Sequence, residues 1–294
     1  MTNLKRVDLA IGAYAPRLDD AQRAQLAFFR DLWEEQAAIT EQLARPYEPP
    51  DADAVARLAA EQMPVLHAVP AHIDAEALVR ATGRMADALC AGGGFSGDDV
   101  YDVRAVDWDA VCAAGLPSAG SDPQASIDAQ IEALEEQGLS GAALQIAASA
   151  ASLALRALLE PAAEEIMKAR EAEDVAKLHP VLCPTCGCGA TLAIVGAASS
   201  TMGGARRLYC AQCGTTWDFD RVRCARCGTH NQGHLRYRHV GDDDAHRVHL
   251  CSECGGYVRT AFQENALAPL VPEVEDVVMA RLDLVGQQQA GGRA

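Results

Sequence analysis

The chain has 294 residues, enough for two domains or one large one, and a formal net charge of −16. It is 49% apolar but only 5% aromatic, and the excess is largely alanine, which favours helix over sheet. So acidic a chain argues against general affinity for nucleic acid, because phosphate binding needs clustered cations.

The charge is uneven. Residues 1–180 hold 14 Lys+Arg against 30 Asp+Glu, whereas 181–262 hold 9 Arg, no Lys and 6 acidic residues. Two chemically different regions are joined, and the whole reads as an α+β protein.

The start, MTNLKRVDLAIGAYAPRL, lacks the sustained apolar stretch of a secretory signal. Residues 1–180 read as an α-helical domain. In 19–44 the spacing of Leu26, Phe29, Leu32 and Trp33 is helical. PYEPPDAD then breaks the chain, and Asp51 or Asp53 can cap a helix through AVARLAAEQM. Residues 74–91 form a third helix, stopped by GGGF. Residues 126–174 give two or three more, with Pro161 expected at a helix start. Within them, LSGAALQIAASAASLAL (139–155) is apolar but rich in Ala and Ser, carries Gln145, and is short for a bilayer, so a buried helix is expected rather than a membrane span. Nothing points to export, and the expected compartment is the cytoplasm, where paired cysteines hold metal more often than disulfides.

From HPVLCPTC onward the chain is rich in Cys, Gly, Arg and His, with short β-prone runs such as TLAIV and HLRYRHV. A first metal-binding β unit is expected over 181–222, a second over 223–262, and a C-terminal helix (272–285) with a disordered end within 263–294.

The cysteines carry the argument. Eight of the eleven form four Cys-x-x-Cys pairs; Cys183 to Cys224 spans 41 residues, as does Cys210 to Cys251, and a glycine follows every pair. This is a tandem repeat of one small unit. Site one comprises Cys183, Cys186, Cys210 and Cys213; site two comprises Cys224, Cys227, Cys251 and Cys254. Two knuckles on a β framework give a tetrahedral tetrathiolate, which suits iron or zinc. The glycines, Gly187, Gly214, Gly228 and Gly255, allow the tight turn after the second ligand. So small a unit cannot order itself by apolar burial alone, so loss of one ligand, as in Cys210→Ser, is expected to melt the first unit locally.

Cys188 is a spare thiol or a bland small residue, and Cys90 and Cys112 are expected to be buried and inert. Of the eight histidines, five lie between His230 and His249; with eight thiolates filling two sites, they are expected on exposed strands and loops. P-loop, His-Glu-x-x-His, dinucleotide and Gly-x-Ser-x-Gly signatures are absent from the sequence, so no catalytic residues are assigned and a non-enzyme is expected.

RRLYCAQCGTTWDFDRVRCARC, with CPTCG before it and CSECGGYVR after it, resembles the FdhE family of formate dehydrogenase accessory proteins. The specific part is carried by Cys210, Cys213, Thr215, Trp217, Arg221, Val222, Arg223, Cys224 and Cys227. The resemblance covers about a third of the chain, and Asp218 stands where the family pattern suggests His. It implies a cytoplasmic assembly factor with rubredoxin-like metal sites that binds the catalytic subunit of a respiratory formate dehydrogenase during maturation, and no enzyme of its own. Trp217, Arg221 and Arg223 are the candidate partner-binding residues. A Trp between two knuckles is also the simplest packing residue joining the units, and the arginines also serve to offset eight thiolates. Two other readings stand beside it: a nucleic-acid-binding tandem zinc ribbon, and a rubredoxin-like electron carrier. The sequence does not decide between a monomer and a homodimer.

Overall fold

In the computed structural model the described residues are 3–172, 178–196, 205–241, 243–263 and 269–291. Nine α-helices among them precede the sheet: α1 Leu4–Tyr14, α2 Asp20–Leu43, α3 Ala52–Ala60, α4 Val65–Ala68, α5 Ala75–Gly92, α6 Gly97–Arg104, α7 Trp108–Ala119, α8 Pro123–Glu136 and α9 Gly141–Ala172. Their starts follow from the residues that precede them. Asp19 accepts from the Gln22 N–H while the Gln22 side chain accepts from the Asp19 N–H, a reciprocal cap for α2. Asp51, not Asp53, caps α3.

Helix α9 is the axis of the body, packed by α2, α5, α6 and α8. By length and composition alone it could cross a membrane, but Ala147, Ala150, Ala151, Ala154 and Leu155 are wholly buried in protein. Its alanines let neighbouring helices approach closely, which explains so apolar a stretch without large side chains.

Pro161 does not start a helix; it lies inside α9. A proline there removes the N–H that would bond the carbonyl four residues back, at Ala157. The buried Thr40 hydroxyl of α2 fills the gap, 2.9 Å from the Ala157 oxygen, and also lies 3.0 Å from its own helix's Gln36 carbonyl. Thr40→Val keeps the shape but orphans that carbonyl. A loss of about 1–3 kcal/mol is expected in chemical denaturation, and an unchanged midpoint would show that Ala157 needs no outside donor.

Six strands follow: β1 Leu192–Val195, β2 Arg206–Tyr209, β3 Thr216–Phe219, β4 Leu235–Arg238, β5 His246–Cys251 and β6 Tyr257–Phe262. They form one sheet in the order β3-β2-β1-β6-β5-β4. Each repeat supplies an antiparallel three-stranded half, and the halves join head to tail through the parallel β1–β6 pair, Leu192 opposite Arg259. The first half shares a core with the helices: Cys183, Cys186, Cys210, Cys213, Leu208 and Trp217 belong to the same buried cluster as Leu66, Leu78 and Leu155.

The C-terminal segment forms two helices, α10 Pro272–Val278 and α11 Arg281–Gly291, not one. Val274 and Val277 bury against α1 and α2, while Met279 and Leu282 bury against the sheet; a break between them serves two surfaces. The expected disordered end is helical to Gly291, beyond which it lies outside the described residues. Gly286 packs under Tyr257, whose ring would be 2.6 Å from an added Cβ.

The expectation of exposed histidines fails at His246. It is buried where β5 meets α1 and α10, with Nε2 3.0 Å from Glu275 and Nδ1 2.9 Å from Asp243. Tyr14 donates to Glu275 at 2.8 Å, and Arg281 pairs with Asp243 at 2.8 Å. Burial alone would lower the imidazole pKa, but the hydrogen bonds and charges of Glu275 and Asp243 outweigh it and hold it above the ordinary histidine value. The protonated form is therefore favoured in the folded state. The cluster's stabilisation is complete below a pH of about 6.5 and fades as pH rises through the elevated pKa. The melting temperature of the wild type minus that of His246→Gln should thus shrink from pH 6 to pH 9; a constant difference would refute a titrating cluster.

Candidate metal centre

Each Cys-x-x-Cys pair closes a tight knuckle. The N–H of Gly187, Gly214 and Gly228 donates to the carbonyl of the first cysteine of its pair at 2.9, 2.9 and 3.0 Å. The first-cysteine N–H groups of Cys183, Cys210, Cys224 and Cys251 in turn donate to Cys188, Thr215, Thr229 and Gly256. All four glycines have positive φ, between 71° and 81°, which a side chain would strain.

The knuckles bring together the two groups of four sulfurs expected from the spacing, and within each group the ligand atoms lie within 4.8 Å of one another. In site one, Cys183–Cys213 and Cys186–Cys210 are 3.5 and 3.6 Å apart; in site two, Cys224–Cys254 and Cys227–Cys251 are both 3.9 Å. A tetrahedron with metal–sulfur bonds of about 2.3 Å has sulfur edges of about 3.8 Å. A disulfide would need about 2.05 Å, and all eleven cysteines are free. The donor sets therefore fit a tetrathiolate metal, iron or zinc alike.

The two clusters differ in their surroundings. Every sulfur-bearing residue of site one is at most 1% exposed. Its first knuckle is gripped by α4, whose Val65 and Leu66 N–H groups donate to Pro184 and Thr185 at 3.0 Å. Its second is held by α9: Ser152 and Gln212 exchange hydrogen bonds, and Arg156 donates to the Ala211 carbonyl at 3.2 Å. Arg156 also pairs with Glu273 of α10 at 2.6 Å, and Tyr209 donates to the same carboxylate. Thr215 joins the knuckles, 3.2 Å from the Cys213 sulfur and 2.9 Å from Thr185.

Site two sits at the rim. Cys224 and Cys251 are buried, but Cys227 and Cys254 are exposed. Backbone N–H groups of Arg226, Cys227 and Gly256 point at its sulfurs at 3.3–3.5 Å, the donors that favour thiolate.

Burial drives the Cys183 thiol well above the usual range, so without a metal Cys183 favours the neutral thiol, while hydrogen bonds from the neighbouring cysteines pull Cys210 the other way. A metal entering site one must displace protons. Each cluster also has a buried arginine in electrostatic range: Arg170 of α9 near Cys183, and Arg206 near Cys224. Burial lowers the pKa of both, Arg206 to about 10, while the cysteine charge opposes the fall.

Of the candidate partner-binding residues, only Arg221 is exposed. Trp217 is 4% exposed and donates its indole N–H to Pro180 at 2.8 Å, so it ties the sheet to the segment leaving the helices. Arg223 is half-buried over Phe219, donating to the Gly228 and His179 carbonyls and pairing with Asp220. Cys188 is buried against Cys186 and Cys210 but lies outside the four-sulfur group. Cys112 is buried, and its thiol is pushed up to about 11; Cys90 is partly covered and also raised by burial.

Sequence reasoning placed the supporting arginines in the repeats and missed Arg156 and Arg170 in α9. The signal was an arginine set within LALRALLE, where an apolar helix face has no other reason to carry a charge.

No protein-family model matches the chain. It is 31% identical over 108 residues to the Protein FdhE homolog of Aquifex aeolicus (strain VF5), a match covering 36% of this chain and 37% of that relative. The crystal structure of the FdhE protein from Pseudomonas aeruginosa is similar over 97% of this chain and 89% of that one, with a TM-score of 0.57 and 21% identity. The local sequence match is to an FdhE homolog, and the chain-wide likeness shows that the fold is shared with an FdhE protein.

Proposed function

We propose that this chain, taken as an FdhE-type protein, is a non-catalytic accessory factor. In this reading it binds the catalytic subunit of a respiratory formate dehydrogenase in the cytoplasm during maturation. The eight cysteines named above hold two metal ions, site one as a structural centre and site two as a surface centre. The observation that carries this reading is the pair of tetrathiolate clusters fixed in one sheet, one locked into the helical core and one presenting Cys227 and Cys254 to the outside. A metal supplies rigidity at the first and, at the second, a charged or redox-sensitive patch beside any docked partner.

The test is purification of the tagged protein from its own host with formate dehydrogenase induced. The wild type should bring down the catalytic subunit, and Cys227→Ser with Cys254→Ser should not, while keeping the fold. Recovery with both would move the interface away from site two, and recovery with neither would end the accessory reading.

The exposure of site two favours a second reading, a rubredoxin-like electron carrier. Reversible bleaching of an iron-loaded protein by dithionite would support it, and zinc in the protein from its host would exclude it.

A further inference from the structure

Beside the second cluster is a cavity of about 160 Å³, bounded by β2, the 221–226 segment, β4 and β5. Arg206, Arg221, Arg223, Arg226 and Arg236 line it, and no Asp or Glu does. In a chain of net charge −16, that is a local inversion of sign.

Arg206 is the buried member, only 3% exposed. One of its terminal nitrogens donates to the carbonyls of Asp220 and Arg223 at 3.3 and 2.8 Å, and its guanidinium lies over Phe219. Its Nε has no hydrogen-bond partner among the described residues. Buried cationic donors are normally satisfied, so this guanidinium leaves part of its charge uncompensated in the cavity wall. Arg226 and Arg236 donate only to backbone carbonyls, Ala190 and Leu235, and Arg221 makes no ion pair among the described residues.

Local compensation does not use up this charge. Four thiolates around a divalent ion carry −2, and Asp220 answers Arg223. About two of the five arginine charges remain free, by simple formal counting.

We propose that this cavity is a carboxylate-binding site that takes an acidic side chain from an acidic segment of a partner protein. Guanidinium forks match a carboxylate in two parallel hydrogen bonds. The cavity is large enough for a carboxylate and its methylenes. Its rim carries Val222, 49% exposed, and Tyr237, 56% exposed, apolar surface that a free small acid would leave uncovered. The chemistry stands on these residues alone; naming the partner as the formate dehydrogenase subunit rests on the accessory reading.

The test uses the full-length, metal-loaded protein and a short fluorescein-labelled peptide alternating Glu and Leu. This peptide should bind, and its Gln counterpart should bind at least about tenfold more weakly. Arg221→Glu and Arg236→Glu, exposed positions where the fold is checked by melting, should each weaken binding about tenfold or more, while Arg57→Glu on α3 should not. Equal binding of the Gln peptide, or unchanged binding in both cavity variants, would overturn the site. So would displacement of the peptide by inorganic phosphate or a single-stranded oligonucleotide at lower concentration than unlabelled peptide, or saturation by acetate without peptide binding. If the cavity variants still co-purify the formate dehydrogenase subunit as the wild type does, the cavity is not that partner's dock, and the accessory reading stands. If the wild type recovers no subunit while the peptide binds, the accessory reading falls and the site stands.

Discussion

Cys210→Ser should unfold the helical body along with the first repeat, whereas Cys254→Ser should leave the helices nearly as stable as before. The sequence alone suggests a local melt for the first substitution, because each repeat looks like an independent small unit. The structure changes the expectation: the four cysteines of site one belong to the same buried cluster as Leu66, Leu78 and Leu155. Their knuckles are hydrogen-bonded to α4 and α9. A structural tetrathiolate contributes roughly 10–16 kcal/mol of apparent binding energy, more than most domains have in reserve. Each kcal/mol lost lowers the melting temperature by about 2–4 °C in a protein of this size class. Circular dichroism at the helix band, with metal content measured in parallel, gives the result. A helical melt unchanged in Cys210→Ser, despite loss of one metal, would show that the shared core stands without its metal.

Chelation of a protein carrying two zinc ions should be biphasic. A chelator reaches site two directly, since Cys227 and Cys254 are exposed, but reaches site one only after α4 or α9 lifts from its knuckles. Metal release from a buried site then follows the population of that opened form. An opening that costs about 3 kcal/mol slows release by about two orders of magnitude. Absorbance of a metallochromic chelator should resolve one fast and one slow equivalent, with the fast one missing in Cys254→Ser. Two equivalents leaving in a single phase would make the sites equivalent in spite of their different burial.

Both expectations depend on placement, and the sequence reached only part of that. The two four-cysteine groups were legible because knuckle geometry is local. Cys-x-x-Cys-Gly needs a knuckle with a left-handed glycine, and Gly187, Gly214, Gly228 and Gly255 all adopt one. The matched 41-residue offset then says which knuckles come together, and the structure groups their sulfurs in the same way. Helix starts were legible for the same reason: Asp51 caps α3 through its own neighbours. Pro161 was misread because its missing N–H is compensated from another helix, by Thr40, which no local rule can foresee. His246 was misread likewise, since Glu275 and Tyr14, which bury it, lie far away in sequence.

The sequence by itself determined the helical half, the two four-cysteine groups and which cysteines belong to each, because these follow from periodicity, turn geometry and spacing over short distances. Only the tertiary structure decided that the repeats fuse into one sheet through the parallel β1–β6 pair, and that one centre is sealed beneath α4 and α9 while the other faces outward. Two identical motifs carry no information about which neighbours will cover them. That inequality comes from the apolar faces of the helices, which find a surface to bury against on the first repeat and leave the rim of the second open.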